Sequence, residues 1–540
     1  MNRARLRLPL QLLLLPLLIG YALHAWHFEW LCDDAYISFR YARHLAEGKG
    51  LVFNALRHPP AEGYSNFLWV VWLGAFEAIG QAAPTVSAWT SGACGAVLIF
   101  IAQRPLRSRS GPDPDSTNTA TTAAAIFLAA LPATAVWATS GLAAMPTALF
   151  LLLCHRALAA EEGPHHVRAA IWALLVALLR ADGAVWIALL FLGHLCAAPR
   201  GTTLEERMRP LWVPGLCLAL GVAAHLSWRV MTYHDWLPLT ARVKAGFSNA
   251  RLLRGVDYAA AWILALPAVG VALAIAGATV RSRPRRTGAP ALFLVLGGTL
   301  YAIWVGGDFM PFGRFLFPAV PFVALVFGDA IAIVRGRFGA APAWGTVAAT
   351  VALSIAGSFD RNPIPETFRQ RFHFRADRAW QTEPERLAEM DLNVRRWVLL
   401  GRALDTYAQA DEALILGGIG AVSYHSDLFI YDAYGLVTPE VVAQGRVISG
   451  ASPGHDLRVH PPFFLEHQPP LTPAPTLMGA YLTPAEPLEA EDPLPWWTDV
   501  RPPADWSQHR WSKWIDAERH PLDPKAGFPE NAELVLLRVR

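Results

Sequence analysis

Apolar segments of membrane-spanning length recur along the chain as far as residue 357. A helix that crosses the hydrocarbon core needs about 20 mostly apolar residues. Windows near that length, of which 168–180 is short, fall at 8–26, 86–103, 121–138, 142–158, 168–180, 184–198, 211–230, 258–280, 290–305, 315–334 and 341–357. This pattern predicts an all-α polytopic membrane bundle of about eleven spans.

The stretch 66–80 decides how these spans are oriented. It is apolar but short, and it contains Glu77. If it lies at the membrane interface, all the arginine-rich loops fall on one face, which the positive-inside rule makes the cytoplasmic face. The N-terminus is then cytoplasmic, with 8–26 as an uncleaved first span and not a signal peptide. The chain is expected in the cytoplasmic (inner) membrane, with everything after residue 358 outside the cytoplasm.

Residues 358–540 differ from the bundle because they are charged and rich in proline. The short apolar runs "ALILG" (413–417) and "LFIYD" (428–432), separated by turn residues, predict neighbouring strands, and 532–540 predicts a terminal strand. We therefore expect residues 1–357 to form a transmembrane catalytic bundle with juxtamembrane helices in a first outer loop (27–85). Residues 358–540 form an extracytoplasmic (periplasmic) α/β domain in this prediction.

Composition agrees with a membrane protein that has lipid as a partner. Charged residues make up 16% of the chain, against about 25% in soluble globular proteins. The net charge of +3, without a basic run interleaved with aromatics, argues against nucleic acid as a partner. The five cysteines lie in or beside apolar segments without zinc-site spacing, which indicates structural packing.

Two adjacent aspartates, Asp33 and Asp34, directly follow the first apolar segment. A carboxylate so close to hydrocarbon is costly unless it has a function there. Segment 34–47 predicts an amphipathic helix lying on the membrane surface, with the aspartates at its positive end. Its ring and guanidinium groups recur at spacings of three and four: Tyr36, Phe39, Arg40 and Arg43. Helix N-capping is the alternative, and it explains one aspartate better than two.

Three further stretches on the same expected face combine charges with aromatics. They are 228–244 with Arg229, His234, Asp235, Arg242 and Lys244; 301–318 with Asp308 and Arg314 beside Gly306 and Gly307; and 431–440 plus 452–457 with Asp432 and His455. A brace between Asp308 and Arg314 is the structural alternative for the second, and a capped turn is the alternative for Asp432. Arg180 and Asp182 follow the short window 168–180, so they are expected in a recess or as a plain ion pair.

These groups fit the transfer of a sugar from a polyprenyl phosphate. A carboxylate within reach of the acceptor hydroxyl acts as base or orienting group, and cations bind the phosphate. Asp33 and Asp34 are the catalytic candidates. The candidates for the donor phosphate are Arg180, Lys244, Arg314 and Arg229, and those for the sugar or acceptor are Tyr36, His234, Asp308, Asp432 and His455. No metal ligands are assigned; a divalent cation is open as a cofactor, although no ligand set demands one.

The stretches "DDAYISFRYARHLAEGKGLVFN", "YHDWLPLTARVK", "VGGDFMPFGRFLFP" and "GGIGAVSYHSDLFIYDAYGLVTPE" resemble membrane glycosyltransferases of the C-type fold. The greatest similarity is to the family of mycobacterial terminal β-(1→2)-arabinofuranosyltransferases. The resemblance implies a decaprenyl-phosphoryl-arabinofuranose donor and places the essential aspartate in the Asp33–Asp34 pair, with Asp33 favoured. Where relatives read Ser-Gly-Leu-Glu, this chain has Ala143, so any contact by that glutamate is lost.

The predicted function is therefore transfer of a sugar, arabinofuranose by resemblance, from a polyprenyl-phosphate donor to a cell-envelope glycan acceptor. The same fold using mannose or aminoarabinose, or a protein acceptor, is the nearest alternative. A lipid-glycan transporter is disfavoured, because its site would lie near the membrane midplane. An envelope assembly protein is a third reading. A cluster of tryptophans packs the domain or stacks on sugars: Trp496, Trp497, Trp506, Trp511 and Trp514.

Overall fold

A helical bundle makes up the chain as far as residue 359 in a computed structural model. The structure describes residues 11–105, 114–160, 164–199, 201–243, 248–279, 285–359, 382–409, 411–447, 457–459, 463–468, 472–483 and 515–540. The bundle helices are α1 (Gln11–His27), α2 (Asp33–Ala46), α3 (Phe67–Glu77), α4 (Ala83–Gln103), α5 (Pro114–Ala130), α6 (Pro132–Thr139), α7 (Ala144–Leu158), α8 (His166–Leu179), α9 (Gly183–Ala197), α10 (Leu204–Met208), α11 (Trp212–Tyr233), α12 (Leu239–Val243), α13 (Asn249–Ala265), α14 (Pro267–Ala278), α15 (Arg285–Leu292), α16 (Gly298–Trp304), α17 (Val320–Phe338) and α18 (Ala340–Ser358).

Several of these helices are built to cross a membrane. Within the described ranges, 4 helical segments are long and apolar enough to span alone, or up to 6 if each of two bent pairs counts as one span. Six shorter apolar helices accompany them: Leu13–His27, Phe67–Glu77, Ala144–Leu158, His166–Leu179, Gly183–Ala197 and Gly288–Trp304. The protein is thus a multi-pass membrane protein, and the count of eleven spans stays a prediction.

Two of the predicted spans are broken by proline. The 121–138 window bends by 58° between α5 and α6, at Pro132, and the 258–280 window breaks between α13 and α14, at Pro267. Proline cannot donate the backbone hydrogen bond that continues a helix, and its ring clashes with the preceding turn. The 290–305 window is helical but contains a π-helical turn, Phe293–Gly297, between α15 and α16.

The two predicted juxtamembrane helices, 34–47 and 66–80, are present as α2 and α3, and each end lies within three residues of the predicted one. α3 has 11 residues, about 17 Å of helix, which is too short to cross the membrane. The amphipathic pattern predicts that α2 presents its aromatic and basic face to lipid, but in the structure this face is covered by protein. Nine of its 14 residues are buried, between α3 on one side and the C-terminal domain on the other, so the predicted surface helix is an internal one.

A mixed sheet forms the centre of the C-terminal domain (described residues 382–540). Its strands are β1 (Ala413–Leu416), β2 (Phe429–Asp432), β5 (Leu477–Thr483), β6 (Ile515–Pro521) and β7 (Glu533–Val539), in the order β2-β1-β5-β7-β6, and β3 (Arg446–Val447) pairs with β4 (Leu457–Arg458). Strands β1 and β2 are parallel with Ala413 opposite Phe429, and β7 is antiparallel to β5 and β6. The helices are α19 (Glu383–Tyr407), α20 (Gly420–Tyr424), α21 (Pro439–Gln444) and α22 (Phe463–Glu466). The predicted strands and the α/β domain are confirmed.

One hydrophobic core joins this domain to the 27–85 segment. Phe39 and Tyr41 of α2 pack in the same cluster as Leu414, Ile430 and Val437. The guanidinium of Arg40, only 2% exposed, donates to the backbone carbonyls of Phe53, Ser423 and Leu428 at 2.7, 2.7 and 2.8 Å. The 27–85 segment therefore shares a core with the C-terminal domain, although almost 300 residues of bundle separate the two along the chain.

Candidate active site

The two aspartates at the start of α2 point to different partners. The carboxylate of Asp33 accepts hydrogen bonds from the backbone N–H groups of Gly420 and Ala421, at 3.1 and 2.7 Å. A Cβ on Gly420 would lie 1.9 Å from the Asp33 carbonyl oxygen, so only glycine fits there. Burial raises the pKa of Asp33 to about 7, against the lowering effect of the two N–H groups. Asp33 thus connects α2 to α20 of the C-terminal domain.

Asp34 faces the bundle instead. Its side chain is 34% exposed, and one oxygen, Oδ2, accepts from Nη1 of Arg314 at 3.2 Å. Arg314 is held in turn by Asp308, which accepts from Nε at 2.6 Å and from Nη2 at 2.8 Å. The residue N-terminal to α2, Cys32, occupies the N-cap position. The structure therefore gives neither aspartate the N-capping role of the sequence alternative, and it makes Asp34 the more open of the pair.

Backbone geometry brings Asp308 and Arg314 together in the 306–315 turn. Gly306, Gly307 and Gly313 have φ of 84°, 76° and 67°, a region that glycine adopts without steric cost. A Cβ at Gly307 would lie 2.7 Å from the Cβ of Tyr258 and 3.0 Å from the first atom of its ring. The side chain of Asp308 is 1% exposed, with its oxygens on Arg314 and the Phe309 N–H. This burial and the pairing with Arg314 agree with the brace alternative, and the sugar contact predicted for Asp308 stays a prediction.

Arg180 and Asp182 form a fork between α8 and α9. Nε and Nη2 of Arg180 donate to the two oxygens of Asp182 at 2.7 and 2.8 Å, and both side chains are largely buried. The guanidinium carbons of Arg180 and Arg314 lie 5.8 and 5.3 Å from the centre of the Phe315 ring. The recess prediction and the ion-pair alternative therefore both describe Arg180. The Phe315 ring is the common neighbour of Arg180 and of Arg314, which pairs with Asp34.

Arg229 lies apart from this cluster. It is buried and paired with a carboxylate, which does not favour its predicted contact with a donor phosphate. Its Nε lies 2.7 Å from Glu62, with both side chains almost fully buried. Another of its nitrogens donates to the Trp236 carbonyl at 3.3 Å. Burial raises the pKa of Glu62 to about 7, against the lowering effect of Arg229. The pair joins the 27–85 segment to the end of α11. His234, the left-handed C-cap of α11, is exposed beside that pair.

Two other predicted sugar contacts are internal. Tyr36 is 5% exposed and packs edge-on against Phe39 and Tyr424. Asp432 is fully buried at the end of β2, where it accepts from the N–H groups of Tyr434 and Val437 at 2.8 and 3.1 Å. Burial raises the pKa of Asp432 to about 6, although these N–H groups lower it. In the structure Tyr36 packs the domain contact and Asp432 closes a turn, and their predicted sugar contacts stay predictions.

Other predicted residues lie outside the described ranges. They are Lys244, His455 and the five tryptophans between 496 and 514. Among the residues that the structure describes, no group of three or more His, Cys, Asp or Glu side chains could hold a metal ion. No cation site is assigned for this reason.

Residues that the sequence reading missed also surround the 306–315 turn. Nε of Arg254, on α13, donates to the Gly306 carbonyl at 3.1 Å, and Arg251 lies one helical turn before it against the same glycine. Glu383, at the start of α19, accepts from the Phe312 N–H. The spacing of three between the two arginines is visible in the sequence, but it lies before the predicted span 258–280 and was not singled out. The turn thus touches bundle and C-terminal domain together.

Comparison with known proteins supports the fold. The crystal structure of ArnT from Cupriavidus metallidurans bound to undecaprenyl phosphate superposes with a TM-score of 0.51 and 12% identity, over 80% of this chain and 88% of that one. Its apo form gives 0.50 and 12%, over 97% of each chain. The chain shares its fold with ArnT. ArnT is a membrane glycosyltransferase of the C-type fold, so the shared fold agrees with the one that the resemblance implied, whereas the arabinofuranosyltransferase family is not confirmed.

The other comparisons add little to this assignment. The oligosaccharyltransferase of Archaeoglobus fulgidus, crystallised with a tethered acceptor peptide, gives a TM-score of 0.41 and 12% identity over 77% of this chain and 63% of that one. A family model described as a domain of unknown function (DUF8728) matches residues 386–510, which is less than half of the chain. No curated protein matches.

Proposed function

We propose that this protein is a glycosyltransferase that moves a sugar from a polyprenyl-phosphate donor to a hydroxyl of a cell-envelope glycan. The observation that carries the proposal is the position of Asp34. It is a half-open carboxylate at the N-terminus of α2, held by a buried arginine where the bundle meets the C-terminal domain. A long lipid tail requires a site reachable from the membrane, and a sugar acceptor requires one reachable from water. The fold shared with ArnT, which has been crystallised with undecaprenyl phosphate, supports this donor class.

In the proposed reaction, the acceptor oxygen attacks the anomeric carbon of the donor sugar. The bond between that carbon and the phosphate oxygen breaks, and polyprenyl phosphate leaves with the bonding electrons. The acceptor proton passes to Asp34, acting as general base. Asp33 is assigned a structural part, because both of its oxygens accept N–H groups of α20. This reverses the preference for Asp33 that the resemblance suggested.

The donor phosphate is proposed to bind beside Phe315. Arg180 lies there, and its fork to Asp182 uses Nε and Nη2, which leaves Nη1 outside that pair. Arginine suits such a contact because its planar guanidinium matches two phosphate oxygens. Arg314 stays a phosphate candidate only through the edge that its two carboxylate partners do not use. Arabinofuranose remains the proposed sugar on the basis of the sequence motifs, with mannose and aminoarabinose as the alternatives.

A transfer assay on the purified protein in lipid nanodiscs tests the proposal. The donor is polyprenyl-phosphoryl arabinofuranose with an oligoarabinoside acceptor, and mannosyl and aminoarabinosyl lipids serve as alternative donors. Asp34→Asn should lower the rate by about 100-fold or more, the usual contribution of a general base. Asp33→Asn should keep the rate at a temperature where the variant is folded. Asp235→Asn is the control, since Asp235 pairs with Arg242 away from the cluster.

The outcomes separate the parts of the proposal. Transfer from only the mannosyl or aminoarabinosyl lipid would keep the enzyme and discard the pentose. Full activity of Asp34→Asn, together with loss in folded Asp33→Asn, would show that the two aspartates have been assigned the wrong way round. Transport of a labelled donor lipid by wild type, with no new glycosidic bond from any donor, would contradict the enzyme proposal.

A further inference from the structure

Two carboxylates share the guanidinium of Arg314 unequally. Asp308 takes the fork, because it accepts from both Nε and Nη2. Asp34 receives a single contact from Nη1, at 3.2 Å, on its Oδ2 oxygen. Bidentate pairing of this kind is the stronger arrangement for an arginine and a carboxylate. The distribution leaves Oδ1 of Asp34 outside the ion pair, on a side chain that is 34% exposed.

Asp308 and its segment are held by contacts other than the ion pair with Arg314. Oδ1 of Asp308 also accepts from the Phe309 N–H at 3.0 Å. The Tyr258 ring packs against Gly307, immediately before Asp308. The Tyr258 hydroxyl accepts from the Phe315 N–H at 3.0 Å, immediately after Arg314. One side chain of α13 therefore holds both ends of the segment that carries the pair, so Asp308 cannot follow Arg314 if the arginine moves.

We propose that Asp308 is a positioning residue that acts on Asp34 through Arg314. By holding the fork of the guanidinium, Asp308 limits Arg314 to one contact with Asp34 and leaves the other Asp34 oxygen for the acceptor hydroxyl. Without Asp308, the same guanidinium would turn its fork to Asp34 and occupy both oxygens of the proposed base. This inference rests on the proposed function and adds a residue to it.

The charges around Asp34 determine the direction of the effect that each substitution should have. The 306–315 turn contributes the cation Arg314 and the anion Asp308, and α2 with its N-cap contributes Asp33 and Cys32. Arg180 is the next cation, across the Phe315 ring. Neutralising Asp308 removes an anion and frees a cation for Asp34, so Asp34 becomes a weaker base. Neutralising Arg314 has the opposite effect, because it removes the cation that stabilises the Asp34 carboxylate.

The experiment is the pH dependence of kcat/KM in the transfer assay, with the donor that wild type uses. Asp308→Asn should move the acidic limb of the profile to lower pH, and Arg314→Gln should move it to higher pH. Asp308→Asn should also lower kcat at its own optimum by about 10-fold or more. The double variant should behave as Arg314→Gln alone, because Asp308 acts through Arg314.

Several results would overturn the inference. One is a shift of both acidic limbs in the same direction, and another is no shift in Asp308→Asn when its kcat is lowered. A third is a double variant whose losses are the product of the single losses. Each of these leaves the proposed function intact if Asp34→Asn is inactive. An active Asp34→Asn variant would instead refute the assignment of Asp34 as the general base, and transport of the donor lipid without any new glycosidic bond would refute the proposed function. Circular dichroism and size-exclusion profiles equal to wild type establish that each variant is folded.

Discussion

Replacing Arg40 with methionine should weaken the attachment of the C-terminal domain to the 27–85 segment. Methionine fills a similar length of core but donates nothing to the carbonyls of Phe53, Ser423 and Leu428, which Arg40 contacts at 2.7, 2.7 and 2.8 Å. A hydrogen bond from a charged group contributes about 1.5–3 kcal/mol, and a buried acceptor left without a partner carries a similar cost. Because such contributions are not fully additive, we expect a loss of at least about 3 kcal/mol.

The measurement is limited proteolysis of the nanodisc-embedded protein over a temperature series, followed through peptides of β1 and β2. A loss of about 3 kcal/mol should lower the melting temperature of this domain by roughly 6–12 °C. Arg43→Met is the matched control on the same helix. Arg43 donates to the Tyr424 carbonyl and to Asp427, whose side chain is 62% exposed, so about 1 kcal/mol is expected. Equal melting temperatures for the two variants would refute the reasoning.

Two further predictions concern the contact between Asp33 and α20. Gly420→Ala should destabilise the domain, because its Cβ would lie 1.9 Å from the Asp33 carbonyl oxygen. Gly527→Ala is the control: its Cβ would meet open space, and its positive φ adds only backbone strain. Burial raises the pKa of Asp33 from 3.8 to about 7. Between about pH 4 and pH 7 the folded state therefore binds one proton more than the unfolded state, and the stability that this proton contributes is lost as the pH rises through 7. Asp33→Asn should therefore make the melting temperature less dependent on pH over this range, and an unchanged dependence would contradict the assigned shift.

Local sequence pattern was sufficient for elements whose signal is contained in neighbouring residues. The start of α2 after Cys32, the short α3, and the strands β1 and β2 follow from apolar periodicity and turn residues alone. The two bent spans show what the hydropathy windows ignored. Pro132 and Pro267 count as apolar residues within the predicted spans, although each is the first residue of a new helix and the preceding helix ends two residues before it.

The roles of Asp33 and Asp34 could not be separated from the sequence. Adjacent residues on a helix point about 100° apart, so one carboxylate faces the C-terminal domain and the other the bundle. Asp33 meets Ala421, 388 residues away, and Asp34 meets Arg314, 280 residues away. Nothing in the local pattern indicates which aspartate meets which partner, because both partners are set by how the distant parts of the chain pack.

The position of Arg40 shows the same limit for a whole helix face. An arginine among aromatics at spacings of three and four is typical of a helix at a lipid surface. Here two of the acceptors are backbone carbonyls of the C-terminal domain. Every residue has a backbone carbonyl, so the sequence does not indicate which of them accept from Arg40. The amphipathic pattern therefore identified a helix with two distinct faces but not what covers them.

The separation between Arg40 and its partners has a consequence for biogenesis. Arg40 and Ser423 are 383 residues apart, and a ribosome adds roughly 5–20 residues per second. The buried face of α2 therefore waits roughly 20 to 80 s for the strands that cover it, while the remaining helices are inserted. During that interval a nascent chain exposes aromatic rings and an uncompensated guanidinium at the translocon exit. The contact between α2 and the C-terminal strands is accordingly completed late in synthesis.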